Sequence, residues 1–352
     1  MPYNIAFYVH HHGNGHFMRC LAIAKALQQH NITFMGSNLT RFQSRIPSHI
    51  QCIDLPMDVS AAGEAKVSGV GTLTGLHYAP LHIDGQSRRV LKMTQHFCAA
   101  SPVLLIVDVS VEVAMLAQLC GVPFIYIRQH GLREDLAHTI AYRNAQSVIA
   151  PFHNRMDTVS EVWLQQKIFY SGCFSRFSPN KLPGKPKVSP GHVLILTGAG
   201  GTSIDSQLIN HIAAACPSWN FLVIGLESIE NAETNIDFFG VIDDPSSLLD
   251  QSDMVIGNCG HNTVMEVATF KKPFIAIPEQ RPFNEQYEKA AILQRLGLAE
   301  VITPDNLYEP QWDRVLSKVV NADADWGSYL NNNATGDIAS HIESIYAALF
   351  QS

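Results

Sequence analysis

Asn262 and Glu266 stand four residues apart, so on a helix they share one face with about 6 Å of rise between them. Ahead of them the apolar run Met254-Val255-Ile256 reads as a buried strand, and Gly257-Asn258-Cys259-Gly260-His261 reads as a tight loop. A strand, a glycine turn and a helix start in that order leave unpaired N–H groups and the positive end of the helix dipole facing outward, which makes an anion site. A carboxylate one turn further in can accept from two vicinal hydroxyls, as acidic residues do for ribose in dinucleotide folds. The spacing therefore suits a ligand with a phosphate at the helix tip and a ribose alongside. An αβ unit that holds no ligand is the plainer reading of the same pattern.

A second group of candidates follows the strand Ile5–Val9, in the run His10-His11-His12-Gly13-Asn14-Gly15-His16. The next helix is expected over about Phe17 to Gln29, which places His16 at its N-terminus. There the dipole disfavours protonation, and a neutral imidazole can take a proton from a hydroxyl. A histidine that only caps or packs would fit the same position. His10 and His12 share a strand face and offer two metal ligands, but no carboxylate lies close in sequence. Gly13-x-Gly15 is a fragment of a dinucleotide fingerprint. Met18 holds its third glycine position, and Gly36-Ser37-Asn38 close the second strand where an acidic residue would be needed. Asp108 and Ser110 end the apolar run that starts at Val103. Asp108 is either a partner for a histidine or acceptor, or the cap of the following helix. Arg128-Gln129-His130-Gly131 follow the strand Val122–Ile127, at the edge where open α/β sheets place ligands.

The elements that must position these groups repeat a pattern. Strand, glycine turn and helix open the chain, and they open it again after residue 191, where Val193–Leu196 runs into Thr197-Gly198-Ala199-Gly200-Gly201-Thr202-Ser203 and then a helix over Ile204 to Ala215. Further helices are expected over Ser87 to Cys98, Glu112 to Cys120 and Ile338 to Leu349, the last packing back on the body. Residues 172–191 are dense in Pro, Gly, Ser and Lys without apolar period, so they divide a domain over 1–171 from one over 192–352. Alternating strands and helices imply an α/β fold of two doubly wound, Rossmann-like domains facing a central cleft. Residues 56–90 show little periodicity and read as a loop or short lid.

Composition narrows the class. A hydrophobic share of 46% and a net charge of −7 describe a compact globular protein with no basic face for nucleic acid. Seven scattered cysteines without metal-ligand spacing suit reduced thiols and a cytoplasmic setting. The most apolar region, Val103 to Ile127, is broken by Asp108, Glu112 and Gln118, which argues against a transmembrane segment and leaves peripheral membrane contact open. Asp323-Ala324-Asp325 follows no convincing strand and reads as surface rather than a metal–diphosphate pair.

The stretch from Val255 to Gln286 resembles the nucleotide-sugar signature of the GT-B glycosyltransferases, above all the MurG-like family and more loosely the UDP-glycosyltransferases. The resemblance implies that Phe239-Gly240-Val241-Ile242-Asp243-Asp244-Pro245 caps a uracil, with Val241 and Ile242 at its centre. It implies that Gly260, His261, Asn262 and Thr263 meet a diphosphate, that Glu266 holds the ribose, and that Glu285 and Gln286 meet the donor sugar. Gly15 and the turn carrying Gly198, Gly200, Gly201 and Thr202 resemble loops that approach the donor. His16 is then the base with Asp108 beside it, and His12, Arg128 and His130 face the acceptor. The departures are Asn258 where the plant-type signature has His, His261 where it has Trp, and Glu285 where MurG has Gln. They bear on the sugar more than on the nucleotide. The implied activity is inverting transfer from a UDP-sugar to an acceptor hydroxyl, with no metal or other cofactor. Gly15-His16-Phe17-Met18-Arg19-Cys20 is also similar to the start of the UDP-sugar hydrolase of pseudaminic acid synthesis, which uses water instead. A nucleotide-sugar-binding subunit without turnover is the non-catalytic alternative.

Overall fold

The computed structural model describes residues 1–11, 13–59, 75–177, 191–198, 200–228 and 230–351. Two separate parallel sheets carry the chain. The first contains β1 (Asn4–Tyr8), β2 (Asn31–Gly36), β3 (Ile50–Asp54), β4 (Leu104–Asp108), β5 (Phe124–Ile127), β6 (Ser147–Ala150) and β7 (Ile168–Tyr170), in the order β3-β2-β1-β4-β5-β6-β7. The second contains β8 (Gly191–Leu196), β9 (Trp219–Ile224), β10 (Ile236–Phe238), β11 (Met254–Asn258), β12 (Phe274–Ile277) and β13 (Glu300–Val301), in the order β10-β9-β8-β11-β12-β13. Every pairing is parallel. The central strands are buried on both faces, which is why they read as unbroken apolar runs.

These strand orders explain where the chemistry sits. In each sheet the winding reverses once, between β1 and β4 in the first and between β8 and β11 in the second. Loops leaving adjacent strands at such a point diverge to opposite faces and open a crevice beyond the strand ends. In the first domain that crevice lies between the end of β1, which feeds α1 (Gly15–Lys25), and the end of β4, where Asp108 stands. Between them, α2 (Asp84–Ala99) leads into β4 and α3 (Val111–Leu119) leaves it. Ser110, not Asp108, caps α3, its hydroxyl accepting from Val113 N at 3.3 Å. The cap reading of Asp108 is thereby set aside.

The expected helices all form, each with ends shifted by a few residues. Less legible from sequence were α4 (Leu136–Asn144), the single turn α5 (Val162–Gln165), and the short strands β3, β6, β7, β10 and β13. In the second domain, α6 (Ser206–Ala215) is capped by Asp205, and α7 (Ser246–Gln251) follows the proposed uracil segment. Next come α8 (His261–Thr269), α9 (Glu285–Arg295) and α10 (Trp312–Val320). The last helix, α11 (Ala334–Phe350), crosses back: Ile338, Ile342 and Tyr346 are buried in the first domain's core, and Tyr346 stacks on Tyr3 at 4.2 Å. Most of the segment expected to link the domains, residues 178–190, lies outside the described residues, as do residues 60–74 of the expected lid, His12 and Ala199. Among the described residues no helix is long and apolar enough to cross a membrane.

Candidate active site

From the first domain, α1 starts two residues earlier than expected and sets His16 in its first turn. His16 Nδ1 lies 2.7 Å from Asp108 Oδ2, and Arg19 donates to the other carboxylate oxygen. Asp108 is 0% exposed. Burial alone would raise its carboxyl, but the Arg19 guanidinium and the His16 ring hold it well below the usual carboxylate range. Arg19 Nη2 also approaches His16 Nδ1 at 3.1 Å. With a proton on Nδ1 directed along the shorter contact, to the carboxylate, the lone pair of the ring is on Nε2. A Cβ on Gly15 would lie 3.4 Å from Asn262 Nδ2, so a residue without a side chain keeps the starts of α1 and α8 in close approach.

From the second domain, α8 begins at His261, one residue ahead of expectation, with Gly260 as an extended N-cap and no side-chain cap bond. Its first turns open on a pocket that both domains line, with Met18 and Arg19 on one side and His261, Asn262 and Glu266 on the other. His261 is buried, and that burial, with the nearby Lys289 cation, pushes its ring well below the ordinary histidine value. Glu266 is 6% exposed yet lines the pocket. Burial raises its carboxyl, and Arg176 opposes this through Nε at 2.8 Å. Arg176 Nη1 donates to the Asp243 carbonyl at 2.7 Å, and the Asp243 carboxylate pairs with Arg45 of the first domain. In the same segment Val241 is 84% exposed and Ile242 packs on the core.

The glycine turn after β8 is held by Glu279. Its Oε1 accepts from Ser203 N at 2.6 Å, Ser203 Oγ at 2.7 Å, Asn258 Nδ2 at 3.1 Å and Thr202 Oγ1 at 3.4 Å. Arg281 donates to Gly201 O at 2.6 Å, and Gly201 has φ +86°. A Cβ on Gly200 would sit 3.5 Å from Arg281, and one on Gly198 would meet nothing within 4 Å. Thr202 is thus committed to Glu279 rather than standing free for a phosphate. Gln286 is buried and accepts from Glu279 N at 2.9 Å, while Glu285 pairs with Lys289 at 3.7 Å and with Arg133 of the first domain at 3.5 Å.

Two acceptor-side expectations need correcting. Arg128 is buried and bonds both oxygens of Asp157 at 2.7 and 2.6 Å; His130 is buried against Phe152 and donates to Met156 O at 3.1 Å. An extended segment turns alternate side chains to opposite sides. Gln129, between them, is therefore the one that faces Arg19 and Glu285.

The glycosyltransferase family 28 C-terminal domain matches residues 205–342, the stretch that carries α8, Glu266 and Gln286. A UDP-N-acetylglucosamine--N-acetylmuramyl-(pentapeptide) pyrophosphoryl-undecaprenol N-acetylglucosamine transferase of Glaesserella parasuis is 24% identical over 83% of this chain and 84% of its own length. Crystallographic MurG of Acinetobacter baumannii superposes with TM-score 0.67 at 16% identity, over 97% of this chain and 99% of that one. The chain has the GT-B fold, and its residues 205–342 match the glycosyltransferase family 28 C-terminal domain. Phytolacca americana UGT2, solved with UDP-2fluoro-glucose and pterostilbene, shares the fold with TM-score 0.68 at 14% identity and 99% coverage of both chains.

The residues of this site that sequence reasoning passed over are Arg19, Gln129, Arg176, Glu279 and Lys289. Arg176 lies at the start of the segment read as a domain boundary, and only its contact with Glu266 reveals it. His77, Asp135 and His138 also converge, with their ligand-type atoms within 4.8 Å of one another. They satisfy each other: Asp135 is 2.8 Å from His77 Nε2 and 2.6 Å from His138 Nδ1, and His138 Nε2 accepts from Arg133 at 3.1 Å. Binding a cation through Nδ1 would put a proton on Nε2 against that guanidinium.

Proposed function

We propose that this protein transfers a sugar from a UDP-sugar to an acceptor hydroxyl with inversion at the anomeric carbon. One observation carries the reading: His16 pairs with the fully buried Asp108 at the first domain's switch point, and Arg19, which also bonds Asp108, lines a pocket with His261, Asn262 and Glu266 of the second domain. The UDP diphosphate would lie at the start of α8, where unpaired amides and the helix dipole favour negative charge. Glu266 would hold the ribose hydroxyls and Val241–Ile242 the uracil. Arg176 would steady Glu266 from the side away from the ribose, through the bond it makes to that carboxylate.

In the step itself, His16 Nε2 takes the acceptor proton as the acceptor oxygen bonds to the anomeric carbon. The bond from that carbon to the β-phosphate oxygen breaks, and its electron pair leaves with UDP. Asp108 stabilises the imidazolium that forms, and the helix start meets the charge on the leaving diphosphate. Glycine main chain, rather than Thr202, is the part of the turn after β8 left to approach the phosphates. The reaction as proposed uses no metal. Glu285 and Gln286 would meet the sugar. The Glaesserella parasuis relative is named for UDP-N-acetylglucosamine, which makes that donor the first to try.

A thermal-shift screen with UDP-, dTDP- and GDP-sugars tests the donor class, because a ligand of the native state raises the melting temperature. UDP-sugars should give the largest shift. A shift confined to dTDP- or GDP-sugars would overturn the UDP assignment. UDP release from the same donors without acceptor should be slow; fast release of free sugar would indicate hydrolysis instead.

A further inference from the structure

Gln129 is 7% exposed and lies between two charged groups of opposite sign from different domains. Only one orientation of its amide sets donors against acceptors. In that orientation the oxygen accepts from Arg19 Nη1 at 3.1 Å and Nη2 at 3.2 Å, and the nitrogen donates to Glu285 Oε2 at 3.1 Å. Arg19 in turn donates to Asp108, which holds His16. Glu285 is steadied by Lys289 at its other oxygen and by Arg133 at the oxygen that Gln129 also meets. An unbroken line of polar contacts therefore runs His16–Asp108–Arg19–Gln129–Glu285, from the base at the start of the first domain to the donor-side carboxylate of the second.

The residue type at the middle of that line is specific. A carboxylate at position 129 would oppose Glu285, and a cation would oppose Arg19. A neutral amide of this length offers an acceptor to the guanidinium and a donor to the carboxylate at once. An unmatched partner on either side would leave a buried charge uncompensated.

We propose that Gln129 is a positioning residue that couples the His16–Asp108 pair to Glu285, so that the base is aligned by the same contact that seats the donor sugar. This rests on the reading of His16 as base and Glu285 as sugar contact. When Glu285 is engaged by sugar hydroxyls, Gln129 fixes Arg19, and Arg19 fixes the rotamer of Asp108. No proton passes along the line; its action is geometric.

The test is a double-mutant cycle on Gln129→Met, which keeps the side-chain volume and removes both polar ends, and Glu285→Ala. Turnover is read as UDP release from UDP-N-acetylglucosamine, UDP-N-acetylgalactosamine, UDP-glucose and UDP-galactose at saturation. Calorimetric binding of the intact UDP-sugars carries the same cycle where turnover is slow. Q129M should lower turnover about tenfold while the Kd for UDP alone stays within about twofold, and the double variant should be no slower than E285A. Full turnover in Q129M, or the two losses multiplying independently, would overturn the coupling. H16A separates the levels: if H16A is inactive while Q129M is fully active, only the coupling falls. If H16A keeps wild-type turnover, the base assignment falls and takes the coupling with it.

Discussion

His16 and Asp108 are ninety-two positions apart and meet only because β1 and β4 are neighbours at a switch point. The sequence offered each as a candidate, and it left open whether Asp108 was a partner or a cap. Ser110 resolved that by taking the cap itself. His16→Ala should reduce transfer by about 10²–10⁴-fold with UDP affinity unchanged, since it removes a proton acceptor and not a donor contact. Turnover assays with isothermal titration check both parts. Asp108→Asn should cost stability as well as rate. It leaves the buried Arg19 without its counter-charge, a change that typically costs about 3–5 kcal/mol, which thermal unfolding would register as a lowered melting temperature.

At the scale of elements, residues 131–138 and 281–289, each a loop running into a helix start, meet at a seam between the domains. Gly131 has φ +110°, and a Cβ there would lie 2.7 Å from Phe283 O. Gly131→Ala should push the seam apart, lowering turnover by roughly tenfold through misalignment of donor and acceptor halves. UDP affinity should stay near wild type, because the nucleotide's expected contacts lie in the second domain. On α4, burial holds His138 down to about 4, against 6.5 for an ordinary histidine. Below pH 6.5 the unfolded chain takes up a proton that the folded chain refuses until near pH 4. Stability that is complete above pH 6.5 is therefore lost across that window, by on the order of 3 kcal/mol. His138→Gln should make the fall in melting temperature between pH 6.5 and 4 shallower by about one proton's worth of slope.

The central strands, the glycine turns and the helix starts were readable because apolar runs and punctuation coincide there. The short edge strands β7, β10 and β13 were not, because two or three residues carry no period. Gln129 was overlooked for its more reactive-looking neighbours. Alternation along the extended segment spends Arg128 and His130 on the 152–157 loop and gives the cleft to the amide. Arg176 was hidden by the Pro- and Ser-rich composition around it.

Over the whole molecule, two similar halves each contribute one switch point, and the proposed reaction needs both. The last helix binds the halves together: α11 follows the second domain in sequence but buries Ile338, Ile342 and Tyr346 in the first. Ile342→Ala should destabilise the first domain by about 2–5 kcal/mol, seen as a lower melting transition, while UDP still binds the second. Residues 205–342, which match the glycosyltransferase family 28 C-terminal domain, carry most of the proposed donor contacts. Glu266 is the residue on which that donor reading turns. Titrating UDP into wild type and Glu266→Ala by calorimetry tests it most directly. Wild type should bind, and the variant should bind about 10- to 100-fold more weakly, the worth of hydrogen bonds to a buried charged group. Equal affinity in the two proteins, or no binding to wild type, would contradict a nucleotide held at the start of α8.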